Sequence, residues 1–95
     1  MVRLVNVLNL SQINNIKEKL KSIKNVCACG LTGFGTCTTK PSVRIFFHQE
    51  LPQADKYKIL DDVYEVMNEC NLHDSEVTDV RWCSGGFEIF YNLSY

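Results

Sequence analysis

The 95 residues are 45% apolar, 11% aromatic and 22% charged, the composition of one globular domain spanning residues 1–95, which excludes a disordered chain and a fibrous repeat. A net charge of −1 gives no global pull toward nucleic acid or anionic membrane, yet residues 1–50 carry 7 basic and 2 acidic side chains while residues 51–95 carry 3 and 9. No apolar run is long enough to span a membrane, and five cysteines, an odd number, without a recognisable signal peptide predict reduced thiols in a cytoplasmic protein.

The alternation of Val2, Leu4, Leu8 and Leu10 with Val5 and Val7 predicts a central strand over residues 2–10. Ser11 offers a capping oxygen, and Ile13, Ile16, Leu20 and Ile23 recur at helical spacing, so a first helix is expected over residues 12–24. Residues 26–39 have strand composition broken by Gly30, Gly33 and Gly35, as in a hairpin. A half-buried strand follows over residues 42–48, with Val43, Ile45 and Phe47 on one face and Arg44, Phe46 and His48 on the other. Pro52 suits the first turn of a second helix over residues 52–71, whose apolar face is Ile59, Leu60, Val63, Val66, Met67 and Cys70. Two strands, 77–83 and 87–95, flank Ser84-Gly85-Gly86, and Phe87, Ile89, Tyr91, Leu93 and Tyr95 share a face of the last. The order predicts an α+β two-layer sandwich with both helices on one face of an antiparallel sheet. The expected topology is ferredoxin-like β-α-β-β-α-β with an extra C-terminal strand.

Few residues in this frame carry chemistry. Gly30-Leu31-Thr32-Gly33-Phe34-Gly35 reverses the nucleotide fingerprint and leads into a strand, so no helix N-terminus is there to hold a phosphate. Cys27, Cys29 and Cys37 are candidate thiolate ligands, and a thiol metal site is one alternative function. The C-x-C spacing on a strand differs from a zinc knuckle, however, and Cys70 and Cys83 read as core positions. Neither His48 nor His73 has a local partner that would activate a nucleophile. Asp61, Glu65 and Glu69 repeat at i, i+4, i+8 as a solvated stripe does, so no catalytic residue and no cofactor is predicted.

The element order is similar to that of acylphosphatases, but their arginine-bearing phosphate loop follows the first strand, where this chain has Asn9-Leu10-Ser11. Val5-Asn6-Val7-Leu8-Asn9-Leu10 resembles the first-strand signature of RNA-recognition motifs, which stack bases on aromatics. Asn6, Ser42 and Arg44 stand here at the stacking positions. Lys17, Lys21 and Lys24 on the first helix provide phosphate contacts at most, which makes weak nucleic-acid binding the second reading.

What remains is a protein-binding, regulatory module without chemistry. Its expected surface combines Phe34 at a hairpin tip with Tyr57, Tyr64, Trp82 and Tyr95, and homodimerisation through a sheet edge or face is a further possibility. Richness in Asn, Lys and Ile suits an accessory or inhibitory protein of a phage or mobile element, for instance one that blocks a host defence complex.

Overall fold

The structure is a computed structural model that describes residues 8–34 and 41–92. Helices α1 (Leu10–Lys21) and α2 (Gln53–Glu69) pack on a four-stranded, open, antiparallel sheet of β1 (Val26–Thr32), β2 (Ser42–Phe47), β3 (Val77–Cys83) and β4 (Gly86–Tyr91), an α+β fold with strand order β1-β2-β4-β3. Among the described residues, no helix is long and apolar enough to cross a membrane.

Helix α1 begins two residues earlier than the spacing predicts, because Asn9 and not Ser11 is its cap. The Asn9 side chain accepts from the Gln12 amide at 2.8 Å, and Gln12 Oε1 accepts from the Asn9 amide at 2.9 Å, a reciprocal box that satisfies two otherwise unbonded donors. Leu10 therefore opens the helix and is 72% exposed, not a strand residue turned to the core. Residues 2–7 of the expected first strand lie outside the described residues. Leu8 is buried, and its amide donates to the Phe34 carbonyl at 2.7 Å.

Asn25, with φ 73°, reverses the chain between α1 and β1. Antiparallel pairing of β1 with β2 shifts between Val26↔Phe47 and Ala28↔Phe46, so Cys27 is the extra residue of a bulge. The bulge resets the alternation, and Cys27 and Cys29 do not share a face as a regular strand would place them. Cys29, opposite Ile45, points to α1 and donates from Sγ to the Lys17 carbonyl at 3.6 Å, whereas Cys27 Sγ donates to the Phe47 carbonyl at 3.3 Å.

Helix α2 runs from Pro52, its N-cap, to a stop made by Asn71 at φ 67°. The Leu72 amide returns to the Met67 carbonyl at 2.9 Å and the Asn71 amide to the Asn68 carbonyl at 3.1 Å, while Leu72 and Met67 are both buried. That pair of bonds with its apolar clasp is the glycine-type helix terminus, achieved here with asparagine.

The ferredoxin-like expectation differs from the described sheet at its centre. A central first strand would need a place beside β2 on the side away from β1, but β2 is bonded there to β4, with Val43↔Ile89 and Ile45↔Phe87 as partners. The tight turn at Ser84-Gly85 folds β4 straight back between β3 and β2. Gly86 lies so close to β2 that any Cβ would collide with the Ile45 carbonyl, and the Phe47 amide donates to the Gly85 carbonyl at 2.8 Å. Strands β2 and β3 are thus parallel, joined across α2, with β4 inserted between them.

The core joins Ile16 and Leu20 of α1, Ile59, Val63 and Met67 of α2, Val43, Ile45 and Phe47 of β2, and Phe87, Ile89 and Tyr91 of β4. Phe34 belongs to it as well, which overturns its reading as an exposed hairpin tip: the side chain is 1% exposed and meets Tyr91 edge-on, with ring centroids 5.8 Å apart. Gly33, at φ 85°, bends the chain in a way an L side chain resists, and the ring that follows is turned inward.

Candidate functional site

Of the aromatics expected at the surface, the structure brings two together. Trp82 on β3 is paired with Phe87 on β4, so its ring lies on the helix-bearing side of the sheet, at the outer strand. Tyr57, in the second turn of α2, reaches it with ring centroids 5.3 Å apart and planes at 79°. Behind Trp82 the stack continues inward through Phe87 at 5.1 Å and Phe47 at a further 5.8 Å. The surface pair is therefore anchored to the core, yet Tyr57 remains 48% and Trp82 40% exposed, enough to offer both rings to a partner.

Around this pair lies an open notch of about 370 Å³ lined by Gln53, Lys56, Tyr57 and Trp82. Gln53, one turn before Tyr57, donates from Nε2 to the tyrosine oxygen at 3.1 Å. Lys56 is drawn to Glu50 at 3.0 Å. A shallow, half-apolar notch with an amide and an ammonium at its rim is suited to seating a side chain and holds no acid, base and nucleophile in contact. Sequence reasoning missed Gln53 and Lys56. Their only signal was their position one helical turn or less before Tyr57.

The second exposed region is the sheet face opposite the helices. Its register sets three rows across the strands: Ala28, Phe46, Gly86, Cys83; then Gly30, Arg44, Glu88, Arg81; then Thr32, Ser42, Phe90, Asp79. Phe46, 41% exposed, stands over the small residues of its row. Glu88 binds Arg44 Nε at 3.0 Å and accepts from Ser42 Oγ at 2.8 Å. Burial works to raise its carboxyl pKa, but the bonds to Arg44 and Ser42 and the charges of Arg44 and Arg81 outweigh this and hold it below the ordinary value. Arg81 lies over Phe90 at 5.2 Å and pairs with Asp79 at 3.4 Å. Among the described residues, Arg44 and Arg81 of this face are each paired with a carboxylate, Glu88 and Asp79.

The remaining expected residues scatter. Tyr64 is half-buried against the core, and burial, followed by the charges of Asp74 and Asp61, raises its pKa. Tyr95 and Cys37 lie outside the described residues. Lys17 and Lys21 act on the Cys29 thiol and so flank β1, whereas Lys24 shares a groove with Asp55 and Asp62 of α2. Cys83 is exposed and not a core residue, because it ends an outer strand opposite Gly86; Cys70 is half-buried beside the core. Among the described residues, no three His, Cys, Asp or Glu side chains gather as metal ligands would. Comparison with family models, with curated proteins and with solved structures finds no match.

Proposed function

We propose that this chain is a small, non-enzymatic protein-binding and regulatory module, with Tyr57 and Trp82 as the anchor of its binding surface. The observation that carries the reading is the exposed aromatic pair itself, seated on a core stack and rimmed by Gln53 and Lys56. Rigid, half-exposed Tyr and Trp side chains lose little conformational freedom on binding and dominate the energetics of protein interfaces. The further reading as an accessory or inhibitory protein of a phage or mobile element rests on size and composition. Occupying a surface of a host complex is a form of regulation that needs no chemistry.

The test is affinity capture with the immobilised chain, identification of the captured protein by mass spectrometry, and reconstitution with that protein purified. Trp82→Ala and Tyr57→Ala are each expected to weaken the reconstituted complex at least about tenfold, the loss typical of an interface anchor. Glu65→Ala, on the solvated stripe of α2, is expected to leave it unchanged. Retention of single-stranded nucleic acid, lost on changing Lys17, Lys21 and Lys24 to Glu, with no protein captured above background, would replace this reading with the nucleic-acid one.

A further inference from the structure

We propose that the outer edge of β1 is a pairing site for an extended, acidic segment of a partner protein, which would add a fifth strand to the sheet. This deepens the protein-binding reading and rests on it, but it concerns a different part of the molecule from the aromatic notch.

The two edges of the sheet are built differently. Edge strand β3 is guarded in ways that discourage a further strand: Asp79 and Arg81 place charges along it, and a bulge at Thr78 interrupts its register. Edge strand β1, Val26-Cys27-Ala28-Cys29-Gly30-Leu31-Thr32, carries no charge and no proline. Its own bulge, at Cys27, lies at the start and leaves residues 28–32 in unbroken register with β2. Ala28 and Thr32 are exposed, and Cys29, Gly30 and Leu31 are half-buried, as befits a strand open on one side. Among the described residues no strand pairs with that side. Five residues of free strand edge span about 17 Å, a length over which main-chain hydrogen bonds supply affinity for an added strand and side-chain contacts select it.

Charge selects the occupant. The Lys17 carbonyl accepts from Cys29 Sγ at 3.6 Å and Lys21 follows one turn later on α1, which sets this stretch of the helix beside the middle of β1. Neither Lys17 nor Lys21 makes an ion pair among the described residues, whose ion pairs involve Arg44, Lys56, Lys58 and Arg81. The Cys29 Sγ bond to the Lys17 carbonyl fixes α1 against the strand, and Lys19, Ser22 and Ile23 line the groove toward α2, which leaves Lys17 and Lys21 on the opposite flank of the helix. A second copy paired edge to edge would bring its own Lys17 and Lys21 toward these, which repels. A strand with carboxylates on its helix-side positions meets both lysines, which attracts.

The probe is a labelled heptapeptide of alternating Glu and Val, compared with its Lys/Val counterpart and with a Glu/Val peptide N-methylated at alternate residues, each titrated onto the full chain. The expected result is binding of the unmethylated acidic peptide alone, together with slowed amide hydrogen exchange within residues 28–32. Lys17→Glu with Lys21→Glu is expected to weaken that binding at least about tenfold. Trp82→Ala is expected to leave it intact, so failure of the edge and failure of the aromatic anchor are read separately. The proposal is overturned if the N-methylated peptide binds equally well, or if binding leaves exchange at residues 28–32 unchanged. It is also overturned if every amide in that stretch is already protected in the free chain, or if sedimentation shows a dimer that carries the protection.

Discussion

Phe34 and Trp82 look alike in the sequence, each an aromatic next to turn residues, and the structure sends them to opposite fates. Phe34 follows Gly33 and is driven under the sheet end onto Tyr91, where it is 1% exposed; Trp82 lies one residue before the end of the outer strand β3 and keeps 40% of its surface in solvent. The difference lies in what stands on the far side of each ring. Phe34 has the core, with Tyr91 at 5.8 Å, whereas Trp82 has Phe87 on one side and, on the other, the Tyr57 ring of α2 at the side of an open notch. A glycine-flanked aromatic therefore does not mark an exposed tip. The outer position of a sheet is the better sign of availability.

The largest effect should separate the two rings by stability. Phe34→Ala removes a fully buried ring and is expected to cost about 3–5 kcal/mol of unfolding free energy, against about half that for Trp82→Ala, measured by urea denaturation. Equal losses would mean that Trp82 is a structural residue with no surface to spare. A smaller change tests why Phe34 is turned inward. Gly33→Ala forces a Cβ into a left-handed conformation and is expected to cost about 1–2 kcal/mol. An unaltered midpoint would show that the bend does not depend on glycine.

The exposed pair should show its contact by coupling. In a double-mutant cycle of Tyr57→Ala and Trp82→Ala, the edge-on ring contact is expected to give about 0.5–1.5 kcal/mol of interaction energy. No coupling would leave two independent surface rings and weaken the notch as a preformed site.

How much of this was legible in the sequence follows from which patterns are local. The period-two alternation of Val43, Ile45 and Phe47 and of Phe87, Ile89 and Tyr91 identifies two strands and their buried face, because that alternation is itself the core pattern, but not their place at the centre of the sheet, which the sequence assigned to residues 2–10. The Asp61, Glu65, Glu69 stripe is exposed, as its spacing implies. The bulge at Cys27 and the left-handed Asn25 and Asn71 are decided by tertiary pairing and capping, and no residue count reveals them. The order β1-β2-β4-β3 was hidden for another reason. A strand of the right composition at residues 2–10 competes on paper for the place beside β2, and the pairing of β2 with β4, with Gly86 tight against the Ile45 carbonyl, shows that β4 takes it. Tyr57 and Trp82 were each visible as surface aromatics. Their meeting depends on how α2 crosses the sheet, a long-range property.

The smallest expected effect at neutral pH concerns the residue that receives Phe34. Tyr91 is fully buried, and its hydroxyl has no hydrogen-bond partner among the described residues. Tyr91→Phe deletes an unsatisfied polar atom and keeps the ring, so stability at pH 7 is expected to stay level or rise by about 1 kcal/mol, the reverse of the usual result for trimming a core residue. The difference should then grow with alkali. Burial, followed by the negative charges of Tyr64, Asp74 and Glu76, raises the Tyr91 pKa in the fold, while in the unfolded chain the phenol ionises near about 10. Below that pH both states hold the proton and the contribution is constant. Above it the unfolded state loses its proton first, so the protein loses stability as pH rises from about 10 toward the folded value. Tyr91→Phe is expected to flatten that decline in urea midpoints between pH 9 and about 11 without abolishing it, since the raised Tyr64 titrates in the same direction. A decline as steep in the variant as in the parent would assign the alkaline loss to other groups and leave the buried hydroxyl without a role in it.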